Sequence, residues 1–290
     1  MIRRVIAVTF AAMVAFAAVP AFSQEDNRLL EGAREQLEAA VRRNPADFKA
    51  RTLLGKAYWL VGAFDKALEQ FKQAATLGDL GALLYTADAL TERGDLVAAR
   101  DAYETARMAA RRTQDAGRQA EAQLGLAHVE LLRGAYEKAL TSLDAVQNGD
   151  KQAAMRLRGR LFALRNAVRA GQVLQEGMVA MWTEGARARE ALNNALALDE
   201  NDARILYALG RFYLEAPAGF GDPEHAEILL ARAVKVRPGN VIYRAWWIRT
   251  LQQRGKEVEA SREIANFEQA YAAYPASRPI VERLKEGRAP

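Results

Sequence analysis

Few residue types in this chain could carry chemistry. Its 290 residues include two histidines, His128 and His225, and no cysteine. The missing thiols exclude disulfides, iron–sulfur clusters, cysteine zinc sites and a lipidated N-terminal cysteine. No H-E-x-x-H pair or carboxylate–histidine cluster accompanies either histidine, so no metal site is expected. No G-x-x-x-x-G-K-[ST] loop, G-x-S-x-G elbow or G-x-G-x-x-G turn occurs. The sequence therefore predicts no enzyme and no cofactor. What remains is recognition by charge and aromatic surface. Arg156, Arg158, Arg160, Arg165 and Arg169 crowd one stretch, and Trp246 and Trp247 stand side by side.

The charge balance narrows the partner. The net charge is +5, with 41 basic and 36 acidic residues. No dense Lys/Arg block is interleaved with aromatics, so nucleic acid is not an expected partner.

The first 23 residues read as a leader. Arg3 and Arg4 precede an apolar run, Val5 to Val19, broken only by Thr9. Pro20 follows, and Ala21 and Ser23 place small residues before Gln24. This is the layout of a secretory signal peptide cleaved after Ser23. The run is shorter than the roughly 20 apolar residues of a spanning helix. The expectation is a periplasmic or secreted protein with no transmembrane span once the leader is gone.

The elements that position any site are helices. Hydrophobic residues make up 50% of the chain, enough for a packed core. Ala and Leu dominate them, and β-branched residues are few, which favours helix. A repeat is also present. In Phe48–Asp79, Leu54-Gly55 precede Tyr58, Gly62 falls in a turn, and Ala67, Phe71 and Ala74 follow. A small residue at Gly55 lets one helix approach the next, and Ala67 is the reciprocal small contact. Gly62-Ala63-Phe64-Asp65-Lys66-Ala67-Leu68 returns almost unchanged as Gly134-Ala135-Tyr136-Glu137-Lys138-Ala139-Leu140. Gly94 to Ala99 and Leu209-Gly210 with Tyr213 restate parts of the frame.

This pattern resembles the tetratricopeptide repeat, L-G-x-x-Y followed by A, F and A. The resemblance implies an all-α, right-handed superhelical solenoid of helix–turn–helix units. Six units fall at about 48–80, 81–113, 116–149, 151–200, 203–239 and 241–275. A capping helix over 24–47 precedes them, and a cap over 276–290 follows, because end repeats present a polar outer face.

Two stretches depart from the frame. Unit 151–200 is longer than a helix pair requires. It reads either as a lengthened pair with a solvated basic face or as a break that splits the array and leaves a groove or dimer surface. In the fifth unit, Leu214 to His225 is about four residues too long, and its prolines and glycines predict a structured loop, with Asp222 as N-cap and Pro223 at the first helical position. The passage from Ala208 to Pro238 resembles the TatT family of periplasmic proteins associated with TRAP transporters, although Phe220-Gly221 stands where two glycines are usual. That resemblance implies a transporter-associated protein handling a small organic anion.

In tetratricopeptide arrays the first helix of each unit lines the concave face. Carrying over those positions implies a partner-binding set of Lys49, Lys56, Trp59, Asp88, His128, Arg204, Tyr207, Arg211 and Arg249. Its cations suit carboxylates and its aromatics add apolar contact. The implied function is an adaptor or scaffold that binds a protein or acidic peptide in its groove. The asparagines of the chaperone-binding carboxylate clamp are absent. Trp247 is expected to pack inward, and Trp246 either packs on the cap or is an exposed contact.

Overall fold

The computed structural model describes residues 24–271 and 273–290, so the leader expected over 1–23 lies outside them. The described residues form an all-α helical-repeat solenoid. It opens with α1 (Gln24–Arg43), α2 (Phe48–Leu60), α3 (Phe64–Thr76), α4 (Leu80–Arg93) and α5 (Leu96–Arg112). Next come α6 (Ala116–Leu132), α7 (Tyr136–Gln147), the short α8 (Lys151–Arg156), α9 (Arg158–Glu176) and α10 (Met178–Leu198). The chain ends with α11 (Ala203–Glu215), α12 (Pro223–Val236), α13 (Val241–Gln253), α14 (Glu257–Tyr271), a 3-10 turn (Pro275–Ser277) and α15 (Arg278–Lys285). No described helix is long and apolar enough to cross a membrane.

Local sequence explains the repeat of starts and stops. An Asp or Asn caps the first helix of each unit: Asp47, Asp79, Asp115, Asp150, Asp202 and Asn240 each accept a backbone N–H. Each satisfies a donor the helix cannot satisfy itself. The turn between paired helices places Gly62, Gly94, Gly134 and Gly255 at positive φ, where only glycine is unstrained. Within the packing, a β-carbon on Gly55 would lie 2.5 Å from Phe71, and one on Gly125 would lie 2.1 Å from Tyr103. These glycines let an aromatic ring rest on the neighbouring helix backbone.

The long middle unit is bridged by a continuous apolar core. One cluster of buried side chains runs from Leu124 and Leu143 through Leu164 and Leu192 to Leu209 and Leu230. Four of the five arginines there face outward. Arg165 pairs with Asp144 at 2.7 Å, Arg169 pairs with Glu184, and Arg156 and Arg158 are exposed. Arg160, also solvent-accessible, borders the space between the first and last units. The loop before α12 is ordered by an Asp222 N–H donating to Tyr213 O at 2.9 Å, and Asp222 accepts from the His225 N–H. Phe220 in this loop meets the exposed Trp182 of α10 edge-on, 5.2 Å between ring centres.

The array also closes on itself. Phe64 and Phe71 of α3 share one core with Val241, Ala245 and Ile248 of α13, Phe267 of α14 and Leu284 of α15. Phe64 packs against Tyr274 with ring centres 6.1 Å apart, and a β-carbon on Gly239 would lie 2.9 Å from Phe64. First and last units therefore touch. The concave groove expected from the sequence is narrowed here, because α13 packs against α4 and its Val241, Ala245 and Ile248 join the core of Phe64 and Phe71.

Candidate functional site

Closure leaves a half-open polar cavity of about 400 Å³. Helix α2 contributes Lys56 and Trp59, and α4 contributes Tyr85, Asp88 and Glu92. Tyr103 of α5, His128 of α6 and Arg160 of α9 form the next wall. Asp202, Arg204, Arg237 and Tyr243 complete it from the last units. An adjoining hollow of about 510 Å³ shares Tyr85, Asp88, Tyr103 and Arg160.

Most of these charges are tied to one another. Arg237 donates to Glu92 at 3.0 Å, and the Trp59 indole N–H donates to the other oxygen of Glu92 at 2.8 Å. Burial raises the Glu92 carboxyl above the ordinary range, and Arg237 and Trp59 pull it back only in part. Arg204 grips Asp202 through two nitrogens, at 2.9 and 2.6 Å. Burial works against the Arg204 charge, and Asp202 more than restores it. The Tyr103 hydroxyl donates to Asp88. Lys56 lies over the Tyr85 ring, 3.8 Å from its centre, a cation–π contact without a carboxylate.

Two groups depart from their usual protonation chemistry. Burial, with the Arg204 charge beside it, lowers His128 to about 3, so its imidazole is neutral at ordinary pH. Its Nε2 lies 3.4 Å from the Tyr243 hydroxyl. Arg160 lines the cavity and is solvent-accessible, and nearby protein and then the Arg204 charge disfavour its ionised form. No ion pair or hydrogen bond engages Arg160 among the described residues.

Of the nine residues carried over from the repeat pattern, the cavity brings together Lys56, Trp59, Asp88, His128 and Arg204. The other four do not line it. Lys49 is exposed on α2 away from the cavity. Tyr207 is 2% exposed and stacks on Tyr243, ring centres 4.8 Å apart. Arg211 lies 4.3 Å from the Trp246 ring and pairs with Glu215 at 2.8 Å. Arg249 is half-buried on α13. Closure is the cause: α13 covers α11 with Tyr243 and Trp246, so the stripe from Arg204 to Arg211 is cavity only at its first residue. Trp246 is buried, and Trp247 is the partly exposed member of the pair.

Arg160, Arg237, Tyr103, Glu92, Asp202 and Tyr243 line the cavity without having been singled out as site residues in the sequence. Nothing distinguishes Arg160 from its four neighbouring arginines in sequence. His225 is exposed and packs edge-on against Tyr213, ring centres 4.8 Å apart. Among the described residues no group of three His, Cys, Asp or Glu could hold a metal ion.

The tetratricopeptide repeat family matches residues 23–81, the first unit and the helix before it. This match, with the helix pairs that follow, supports a tetratricopeptide-repeat protein. No curated protein matches the chain. Among solved structures, the chain is similar to a tetratricopeptide repeat protein from Parabacteroides merdae, at 16% identity over 98% of this chain and 97% of that one, with a TM-score of 0.49. It is similar to yeast Tom70 at 13% identity over 93% of this chain and 61% of that one, with a TM-score of 0.46. It is also similar to YrrB, described as a TPR protein with an unusual peptide-binding site, at 15% identity over 87% and 99%, with a TM-score of 0.34.

Proposed function

We propose that this helical-repeat protein is a non-enzymatic adaptor or scaffold of the cell envelope whose interior face binds an acidic segment of a protein partner. One observation carries the reading: Lys56 and Arg160 face a shared cavity with no carboxylate bound to either. Arg and Lys without carboxylate partners in a concave setting favour oxyanions through charge-assisted hydrogen bonds. Trp59 and Tyr85 give flanking apolar surface of the kind that supplies much of the energy at interfaces. The leader read over residues 1–23 supports a partner in the periplasm or outside the cell.

A second reading is favoured by closure itself. A bounded cavity of about 400 Å³ is within the size range of small-ligand pockets. It suits a small organic anion, the ligand that a TatT-like, transporter-associated role would require.

The test is capture from an envelope extract with the wild-type chain and Lys56→Glu side by side. A protein retained by the wild type and lost by the variant supports the adaptor reading. Equal retention by both removes the interior face from the account. Retention of no protein, with displacement of a small acid on denaturation, favours the second reading.

A further inference from the structure

We propose that Arg160 anchors an oxyanion subsite inside the ring, and that the group it takes is a carboxylate. The inference rests on the interior-face reading above and names the chemistry of its ligand. Three guanidinium groups line the cavity, and two are already engaged: Arg204 by Asp202 and Arg237 by Glu92. Among the described residues Arg160 makes no ion pair or hydrogen bond. Arg160 is solvent-accessible where it borders the cavity, and the charge of Arg204 nearby opposes its ionised form. Asp88 offsets that through space, but its carboxylate accepts the Tyr103 hydroxyl and forms no bond to Arg160.

An arginine cannot shed its proton at ordinary pH. An unpaired guanidinium bordering a concave cavity offers its planar fork of N–H donors to an anion that enters there. The remaining lining selects which anion. Asp88, Glu92, Asp199 and Asp202 line the cavity, so a dianionic phosphate would meet four acidic side chains. A carboxylate brings one charge, and its two oxygens match the planar fork of an arginine. The neutral His128 adds no second positive charge. The rest of the ligand rests against Trp59 and Tyr85. The carboxylate belongs either to an acidic side chain of a partner protein or to a free organic acid, and Arg160 meets the same group in both.

The experiment is calorimetric titration of the full chain, Arg160→Gln and Lys56→Glu with three probes: a hexapeptide containing two glutamates, succinate and inorganic phosphate. Arg158→Gln, exposed on the same helix and outside the cavity lining, is the control. The peptide or succinate should bind the wild type and Arg158→Gln alike. Arg160→Gln should weaken that binding roughly tenfold or more, the loss expected for a charged hydrogen-bond partner. Because Arg160 holds no partner in the free protein, Arg160→Gln should keep the wild-type helical signal and melt no lower. Binding of the peptide alone assigns the carboxylate to a protein, and binding of succinate alone assigns it to a free acid. Tighter binding of phosphate overturns the carboxylate assignment. Wild-type affinity in Arg160→Gln, with loss in Lys56→Glu, overturns the subsite and leaves the interior-face reading standing. If no probe binds the wild-type chain, both fall.

Discussion

Glu92 and Arg237 are 145 positions apart in sequence and 3.0 Å apart in space, and their ion pair joins the second unit of the array to the fifth. Around it, Phe64 packs on Tyr274 and Arg93 lies over the same ring at 5.2 Å. An open solenoid would leave these side chains in water. Removing one partner of the bridge strands the other in a half-buried setting. Arg237→Ala should therefore cost about 1–2 kcal/mol, below the range for fully buried pairs because Arg237 is about a third exposed. Urea unfolding measures the loss, and small-angle scattering should report a wider particle if the ring opens.

Acid acts on this bridge with a definite sign. Burial raises the Glu92 carboxyl above its unfolded value, so between those two values the folded state holds the proton more firmly. Its contribution is present in full below the unfolded value and is lost as pH rises through the raised one. Glu92→Gln should flatten that part of the stability profile. An unchanged profile would mean that Glu92 is not buried as described.

His128 works in the opposite direction. Its folded value is about 3 against an ordinary 6.5, because burial excludes the charged ring. The stability it supports is present above the unfolded value and falls as pH drops from 6.5 toward 3. The His128 ring proton should show no titration by NMR between pH 5 and 8, and His128→Asn should reduce acid sensitivity in that window. A ring that titrates near its ordinary value would place His128 in solvent.

Two glycines separate packing from backbone strain. A β-carbon on Gly125 would press into the Tyr103 ring at 2.1 Å, whereas Gly134 has open space and only a positive φ of 71°. Gly125→Ala should cost about 1–3 kcal/mol through overpacking. Gly134→Ala should cost about 1 kcal/mol through backbone strain. Urea midpoints rank the two, and Gly125→Ala should lie lower.

The local architecture was legible because it is written in short-range pattern. Gly55 with Phe71, Ala67 in the returning heptapeptide, and Asp222 before Pro223 each encode a contact within one unit. Ring closure was not legible. Phe64 and Val241 both read as ordinary apolar positions, and only the accumulated rotation from unit to unit brings them together. The same geometry decided the site. Arg204, Tyr207 and Arg211 lie on one helical stripe, but Tyr243 and Trp246 of α13 cover the last two. Arg160 is one of five arginines in one stretch of sequence, and only the folded array shows which of them borders the cavity.

The leader expected over residues 1–23 has its own check. Mass spectrometry of the protein from its native cells should give a chain beginning at Gln24. A chain that keeps Met1 would remove the argument for an envelope location.

Binding at the interior face is tested most directly by titrating the glutamate hexapeptide into the wild type, Lys56→Glu and Lys49→Glu. Both lysines lie on α2, but only Lys56 lines the cavity. The prediction is that Lys56→Glu loses binding roughly tenfold or more while Lys49→Glu binds as the wild type does. Loss in Lys49→Glu with full affinity in Lys56→Glu would put recognition on the outer surface and contradict the account.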